Sequence, residues 1–274
     1  MHEKTLMHAD KQAVQEFWER AACGEELYLH DAGRQGYLDQ ARRRYELEPY
    51  IEQFAAFQSA HGQRVLEIGV GLGADHQRFA AAGALLSGID LTERSVAHAR
   101  RRLELFGLTS QLEQGDAEKL SYDDATFDLV YSWGVIHHSP NTARAVDEIY
   151  RVLRPGGTAR IMIYHTWSLV GYMLWVRFAL LGLRPWMSLA EIYARYLESP
   201  GTKAYSVAGA RRLFAAFRVV DIQTQLTHGD LLASAAGQRH RGAFLSVARR
   251  IWPRALLRRF AAGHGLFMLI CATK

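Results

Sequence analysis

The chain has 274 residues, 49% of them hydrophobic and 22% charged, which is ample for a buried core and excludes disorder over the bulk of its length. Two cysteines, Cys23 and Cys271, stand near opposite ends and exclude a disulfide framework. The net charge of +5 is unevenly spread: Leu231 to Lys274 has eight cationic side chains and no acid, leaving the first 230 residues at −3.

Residues 10 to 58 read as helical, with Val14, Phe17 and Trp18 in one apolar cluster and Tyr45, Tyr50, Ile51, Phe54 and Phe57 in another. A polar link, Gly24 to Gly36, separates them and contains Tyr28. Val65, Leu66 and Ile68 then form a short apolar run suited to a buried parallel strand. Gly69, Gly71 and Gly73 follow at alternate positions, where glycine lets the chain turn sharply and approach a ligand. A helix from Asp75 to Ala82 is predicted next, its N–H groups pointing back into the loop and favouring a carboxylate or phosphate.

Leu85 to Leu91 reads as a second strand ending in an acid. Asp90 lies 21 residues beyond Gly69, close to the spacing of about 20 at which a carboxylate takes a ribose diol in nucleotide-binding α/β folds. The helix Thr92 to Phe106 carries several arginines, read as a solvated face. A third strand, Ser110 to Gln114, leads into Gly115-Asp116-Ala117-Glu118, and a fourth, starting at Phe127-Asp128, leads into Trp133 and the adjacent pair His137 and His138.

Asn141 or Thr142 can cap the next helix, whose Ala145, Val146, Ile149 and Val152 recur at helical spacing. Arg154-Pro155-Gly156-Gly157 should end it before a fifth strand, Thr158 to Tyr164, with His165 at its close. The run Trp167 to Leu183 is apolar almost all round, but its 17 residues include Arg177 and fall short of the roughly 20 apolar residues of a membrane span. It reads as a buried cap helix, a pocket wall, a membrane-docking element or a dimer contact. A helix over 207–216, a sixth strand from Phe217 to Leu226 and a last strand within Leu266 to Lys274 complete the chain. In the basic stretch between those strands Phe244, Val247, Ile251, Trp252, Leu256 and Phe260 interleave with arginines, a pattern suited to anionic lipid and equally to packing on its own domain.

The glycine loop by itself is ambiguous: Gly69, Gly71 and Ala74 also satisfy the dinucleotide pattern that binds NAD. Glu67-x-Gly69-x-Gly71-x-Gly73, however, resembles in full the first motif of class I S-adenosylmethionine-dependent methyltransferases. Gly115-Asp116-Ala117-Glu118, the histidine pair after Phe127-Asp128, and Leu153-Arg-Pro-Gly-Gly157 resemble its later motifs in the ubiquinone and menaquinone methyltransferase-like (type 11) group. The resemblance covers about residues 60 to 165. It implies a Rossmann-like α/β fold: a seven-stranded sheet with helices on both faces and a final antiparallel strand. It also implies an N-terminal helical lid over residues 1–58, and a core over 59–274 with insertions at about 166–205 and 231–264.

On that resemblance S-adenosylmethionine is the cofactor and S-adenosylhomocysteine its product. Gly69, Val70, Gly71 and Gly73 would shape the methionine side, with Glu67 supporting the ammonium and Trp133 lining it. Asp90 with Leu91 would hold the ribose, and Asp116 with Ala117 the adenine. If the acceptor is a hydroxyl, a base near neutral pKa helps, and His138, ahead of His137 and His165, is its candidate. Adjacent loop histidines do not easily face one ion, and no carboxylate cluster follows, so no metal is expected.

The expected acceptor is an apolar or amphiphilic small molecule, quinone-, lipid- or natural-product-like. Two rivals stand beside this reading: an NAD-dependent oxidoreductase, which leaves Gly115 to Glu118 and Arg154 to Gly157 unexplained, and an RNA- or protein-directed methyltransferase or binding module. No aromatic RNA-binding motif supports a nucleic-acid partner, peripheral membrane contact through the basic C-terminal segment is one use of that segment, and a homo-oligomer stays open. Cysteine usage and a start without the apolar core of a signal peptide predict a cytoplasmic setting.

Overall fold

The computed structural model describes residues 2–233, 249, 250 and 252–274. Phe244, Val247 and Ile251, with Arg239 and Arg241 of the basic stretch, lie outside the described residues. Seven strands form one sheet in the order β3-β2-β1-β4-β5-β7-β6. They are β1 (Arg64–Ile68), β2 (Leu85–Asp90), β3 (Gln111–Gln114), β4 (Phe127–Trp133), β5 (Leu153–Tyr164), β6 (Val219–Gln225) and β7 (Phe267–Thr273). Strands β1 to β5 pair in parallel, and β7 runs antiparallel to both β5 and β6. The expected seven-stranded, Rossmann-like α/β fold is thus the observed one.

Both faces of the central strands are covered, which is why β1 reads as a continuous apolar run rather than an alternating one. Leu66 and Ile68 point to one face and pack with Val130, Ile161 and Ile270. Helix α7 (Thr142–Val152) lays Ala145, Val146, Ile149 and Val152 on that face, a stripe at helical spacing, and Asn141 Oδ1 accepts from Arg144 N at 3.0 Å to cap it. On the other face Val65, Leu129 and Tyr131 pack with Phe79 of α5 (Ala74–Ala81) and Ile51 of α4 (Tyr50–Ala55). Helix α7 stops at Val152, because Arg154 precedes a proline and takes extended backbone inside β5, where Gly156 turns at φ +79°.

Ahead of the sheet lie α1 (His2–Arg20), α2 (Glu25–Tyr28), α3 (Arg34–Leu47) and α4. The helix α6 (Glu93–Phe106) corrects the sequence reading of its arginines. Arg102 is fully buried, donating to Gln77 Oε1, Gln40 Oε1, Leu72 O and Tyr37 O at 2.7–2.9 Å. It ties α3 to α5 and α6, and only its neighbours Arg100 and Arg101 face water.

The apolar stretch after β5 is not one helix. Residues Leu169–Trp175 form α8, which passes into a single π turn over Val176–Leu180 and then opens. Leu174 and Ala179 are buried against Ile192 and Tyr193 of α9 (Leu189–Tyr196). By contrast Leu181, Leu183 and Trp186 are 62%, 82% and 77% exposed, so the buried-cap expectation holds for the first half only. Helices α10 (Val207–Leu213) and α11 (Arg254–Phe260) flank β6 and precede β7.

Candidate functional site

A cavity of about 390 Å³ lies over the carboxyl ends of the parallel strands, where open α/β sheets bind ligands. Ten of the thirteen residues singled out in the sequence line it: Glu67, Gly69, Val70, Gly71, Asp90, Leu91, Asp116, Ala117, Trp133 and His138. Gly73 instead packs on α6, where a Cβ would lie 3.0 Å from Ala99 Cα. His137 and His165 are buried away from the wall.

The loop after β1 owes its shape to two glycines. Gly69, at φ +83°, donates to Ile89 O at 2.7 Å, and a Cβ there would collide with Val135. Gly71, at φ +50°, has nothing within 4 Å of a would-be Cβ, so its open side is where a ligand can approach the backbone. Its N–H donates to Asp90 Oδ2 at 3.1 Å, while Asp90 Oδ1 accepts from Thr92 N at 3.0 Å and Thr92 Oγ1 at 2.8 Å. A carboxylate has about four acceptor positions, so Asp90 is oriented by three donors and keeps capacity for a hydroxyl.

At the β3 end, Asp116 Oδ1 accepts from Glu118 N at 2.9 Å, and its Oδ2 meets Lys11 Nζ of α1 at 2.6 Å. Lys11 also bonds Glu118 Oε2 at 2.7 Å. The same helix places Trp18 edge-on to the His138 ring, 5.5 Å between centroids. Seven residues of helix span roughly 10 Å, so α1 crosses the cavity from the acid after β3 to the loop after β4.

Glu67 is buried and pairs with His76 Nδ1 at 2.9 Å, and His76 Nε2 meets Ser110 Oγ at 2.7 Å. Burial and the neighbouring Asp75 push the Glu67 carboxyl well up, and burial pushes His76 down to about 3, both shifts favouring the uncharged forms. Next to it Asp75 accepts from Arg44 Nε and Nη2 at 3.1 and 2.6 Å, from Tyr45 OH at 2.9 Å and from Tyr131 OH at 2.9 Å. Burial alone would raise Asp75; the guanidinium and the two phenols outweigh it and hold the carboxyl below its ordinary value. Sequence reasoning placed Asp75 only as a helix start. Its partner lies 31 residues upstream on α3, a separation that no local pattern marks.

The histidine pair divides. His137 is fully buried with neither ring nitrogen hydrogen-bonded, its ring tilted at 46° against Tyr164 with 4.1 Å between centroids, and burial holds it well below its ordinary value. His165 Nδ1 meets Gly265 O at 3.2 Å. His138 faces the cavity. Its Nδ1 is held by Ser199 Oγ at 2.8 Å and Thr202 Oγ1 at 3.1 Å, and its Nε2 stands 3.4 Å from Glu198 Oε2. Glu198 accepts from Tyr164 OH at 2.6 Å. Burial would raise this carboxyl, but His138 and Tyr164 bring it below its ordinary value. The insertion after β5 therefore supplies Glu198, Ser199 and Thr202 to the site, and none of the three was legible as functional.

Residues 66–161 match the model of the methyltransferase domain family. That stretch contains the glycine loop, Asp90, Asp116 and the histidine pair, the same residues the cavity brings together. Residues 66–161 thus form a domain of the class I S-adenosylmethionine-dependent methyltransferase kind. Among relatives of this chain, a phosphatidylethanolamine N-methyltransferase of Cereibacter sphaeroides is 38% identical over 39% of this chain and 54% of its own length. A phthiotriol/phenolphthiotriol dimycocerosates methyltransferase 1 of Mycobacterium ulcerans is 29% identical over 78% of this chain and 68% of its own. The first match thus spans about half of that relative.

Among solved structures, an S-adenosylmethionine-dependent methyltransferase of Thermotoga maritima aligns over 95% of this chain and 99% of its own, with TM-score 0.53 and 20% identity. The [4+2]-cyclase SpnF aligns over 90% and 85%, with TM-score 0.53 and 18% identity. A fold shared with a cyclase does not itself specify methyl transfer, which has to be argued from the site.

Proposed function

We propose that this methyltransferase moves the methyl group of S-adenosylmethionine to a small amphiphilic acceptor. The observation that carries the reading is that one cavity holds Gly69, Gly71, Asp90, Asp116 and Trp133 along one side and His138 at the far end. The residues suit the cofactor: Gly71 is open to backbone contact, and Asp90 retains acceptor capacity next to it. Asp90 would take the ribose hydroxyls, Asp116 and Ala117 the adenine, and Trp133 with the loop the methionine part. The Glu67–His76 pair would support the amino end by hydrogen bonding. When bound, S-adenosylmethionine supplies a methyl group on a positively charged sulfur, so the protein's task is mainly to align a nucleophile and exclude water. Helices α1 to α4 would form the lid, with Lys11, Trp18 and Arg44 closing over the cavity.

Names of relatives that act on phospholipid and on dimycocerosates support an amphiphilic acceptor. So does the exposed apolar tip at 180–186, which together with Leu256, Arg258, Arg259 and Phe260 of α11 gives a surface suited to peripheral contact with a membrane. Among the described residues no helix is long and apolar enough to cross a membrane.

Two titrations and one labelling experiment test the reading. S-adenosylhomocysteine should bind and NADH should not. Methyl-labelled S-adenosylmethionine incubated with cell fractions should label the organic extract. NADH binding without S-adenosylhomocysteine binding would overturn the reading in favour of an oxidoreductase, and label confined to RNA or protein would overturn the small-molecule acceptor.

A further inference from the structure

Six carboxyl groups of the described residues line the cavity, and five of them are engaged by hydrogen-bond donors or an imidazole. Asp75 accepts from Arg44, Tyr45 and Tyr131, Asp90 from Gly71 and Thr92, and Asp116 from Lys11. Glu67 pairs with His76, and Glu198 with Tyr164 and His138. Glu48 is the sixth. Its Oε2 is buried and accepts no hydrogen bond among the described residues, with Arg44 Nη1 3.6 Å away. Its side chain keeps 14% of its surface open and lines the cavity.

Pro49 disfavours helical backbone in the residue before it, so Glu48 leaves α3 at φ −130° and ψ 60°. Asp75, which bonds Arg44, lies in the first turn of α5 directly after the glycine loop, and the Arg44 guanidinium is 6.0 Å from the centre of the Trp133 ring. Glu48 therefore stands where the glycine loop meets α5, at the end of the cavity assigned to the methionine part. The single positive charge of Arg44 faces two carboxyls there, and Asp75 already holds Nε and Nη2 at 3.1 and 2.6 Å. Burial and the nearby acids Asp75 and Glu198 push the Glu48 carboxyl up to about 7, Arg44 and Trp133 pulling against the rise. A second cation beside Glu48 would balance this buried cluster and satisfy the open oxygen. Glu67, the other acid next to the loop, commits Oε2 to His76.

We infer that Glu48, reaching from the lid, holds the ammonium of the cofactor's methionine. The inference rests on the methyltransferase reading. An ammonium has three N–H donors. Glu48 takes one of them with charge assistance, while Glu67 and backbone carbonyls of the glycine loop can take the others. Glu48 belongs to the junction of α3 and α4 and not to the sheet, so the lid is tied to the amino-acid end of the cofactor. A molecule that ends at the sulfur makes no such tie.

Titration calorimetry on the full chain tests this with three probes: S-adenosylhomocysteine, its deaminated analogue, which keeps the carboxylate, and methylthioadenosine, which ends at the thioether. S-adenosylhomocysteine should bind at least about tenfold tighter than the deaminated analogue, the size of one hydrogen bond to a charged group. Glu48→Gln should bring that ratio below about threefold and leave the affinity for methylthioadenosine within about twofold, which also shows that the variant folds and keeps its adenosine site. Glu67→Gln should retain a ratio of at least about fivefold. Equal binding of S-adenosylhomocysteine and the deaminated analogue, or a ratio that survives Glu48→Gln, overturns the assignment and leaves methyl transfer standing. A ratio lost in Glu67→Gln alone gives the ammonium to Glu67, and a parallel loss of methylthioadenosine in Glu48→Gln makes Glu48 a structural residue; either overturns it as well. If none of the three probes binds the unsubstituted chain, the methyltransferase reading itself falls, and the assignment with it.

Discussion

Asp90 is the residue whose removal separates binding from folding. Three donors orient it from its own loop and helix start, and the remaining acceptor capacity faces the cavity. Asp90→Ala should weaken S-adenosylhomocysteine by about 3 kcal/mol, more than a hundredfold, the worth of one or two hydrogen bonds to a charged group. Titration calorimetry reads the loss, and an unchanged circular dichroism spectrum shows that the fold persists. Glu48 makes a different prediction. Burial pushes its carboxyl from 4.5 up to about 7, Arg44 pulling against the rise and Asp75 and Glu198 adding to it. A pKa raised on folding favours the protonated native state, so this contribution is full below pH 4.5 and is lost as pH climbs through 7. Glu48→Gln should therefore leave stability near pH 4 unchanged and raise it by about 3 kcal/mol at pH 8 relative to the unsubstituted chain, measured by urea unfolding at both pH values. Asp90 and Asp116 were legible in the sequence because each follows a strand at a motif's spacing. Arg44, Glu48 and Glu198 were not, since their roles arise only where α3 and the insertion after β5 meet the sheet edge.

The elements were legible in proportion to how local their causes are. Helix α7 could be placed from Asn141 and its apolar stripe, and β1 from an unbroken apolar run, because capping and burial there act within a few residues. The misread face of α6 shows the limit: Arg102 is chemically like its neighbours Arg100 and Arg101, and only the arrival of Tyr37 and Gln40 from α3 buries it. Deleting that group strands carbonyl and amide acceptors in the interior, so Arg102→Met should cost about 3 kcal/mol in urea unfolding, whereas Arg101→Met should cost less than about 0.5 kcal/mol. Helix α1 is held differently. Its described polar anchors on the core are Lys11 between Asp116 and Glu118, with side chains 22%, 32% and 9% exposed, and Glu19, whose Oε1 accepts from Arg94 N at 3.0 Å. Partly exposed pairs of this kind contribute about 1 kcal/mol. Lys11→Ala should speed amide hydrogen exchange in α1 roughly fivefold while leaving β1 and β4 unchanged. Equal protection in both proteins would mean that Val14, Trp18 and the Glu19–Arg94 contact hold the helix down without Lys11.

At the scale of the whole molecule, one described stretch of the outer surface is at odds with ordinary solvation. From Leu180 to Trp186 every residue is exposed, and the stretch presents Leu180, Leu181, Leu183 and Trp186 beside Arg184, with the exposed Arg177 one turn earlier. The π turn over Val176–Leu180 is what releases it, since the helix before that point buries its apolar face on α9. Apolar side chains that gain nothing from the core gain about 0.8 kcal/mol per buried methylene in a bilayer interface, and adjacent arginines add attraction to anionic head groups. The chain should therefore float with phosphatidylglycerol vesicles and much less with phosphatidylcholine vesicles. The double variant Leu183→Ser, Trp186→Ser should lower that binding by at least about tenfold without changing affinity for S-adenosylhomocysteine. The basic segment offers the rival explanation, because Arg258 and Arg259 flank the exposed Phe260 on α11. Arg254 of the same helix is engaged with the carbonyls of Leu231, Leu232 and Arg249, so it is not available to lipid in the same way. Flotation that survives the double variant but is lost in Arg258→Ser, Arg259→Ser would assign the contact to α11 rather than to the tip. Flotation lost in both would require the two surfaces to meet one membrane together, which would set the mouth of the cavity at a fixed distance from that membrane.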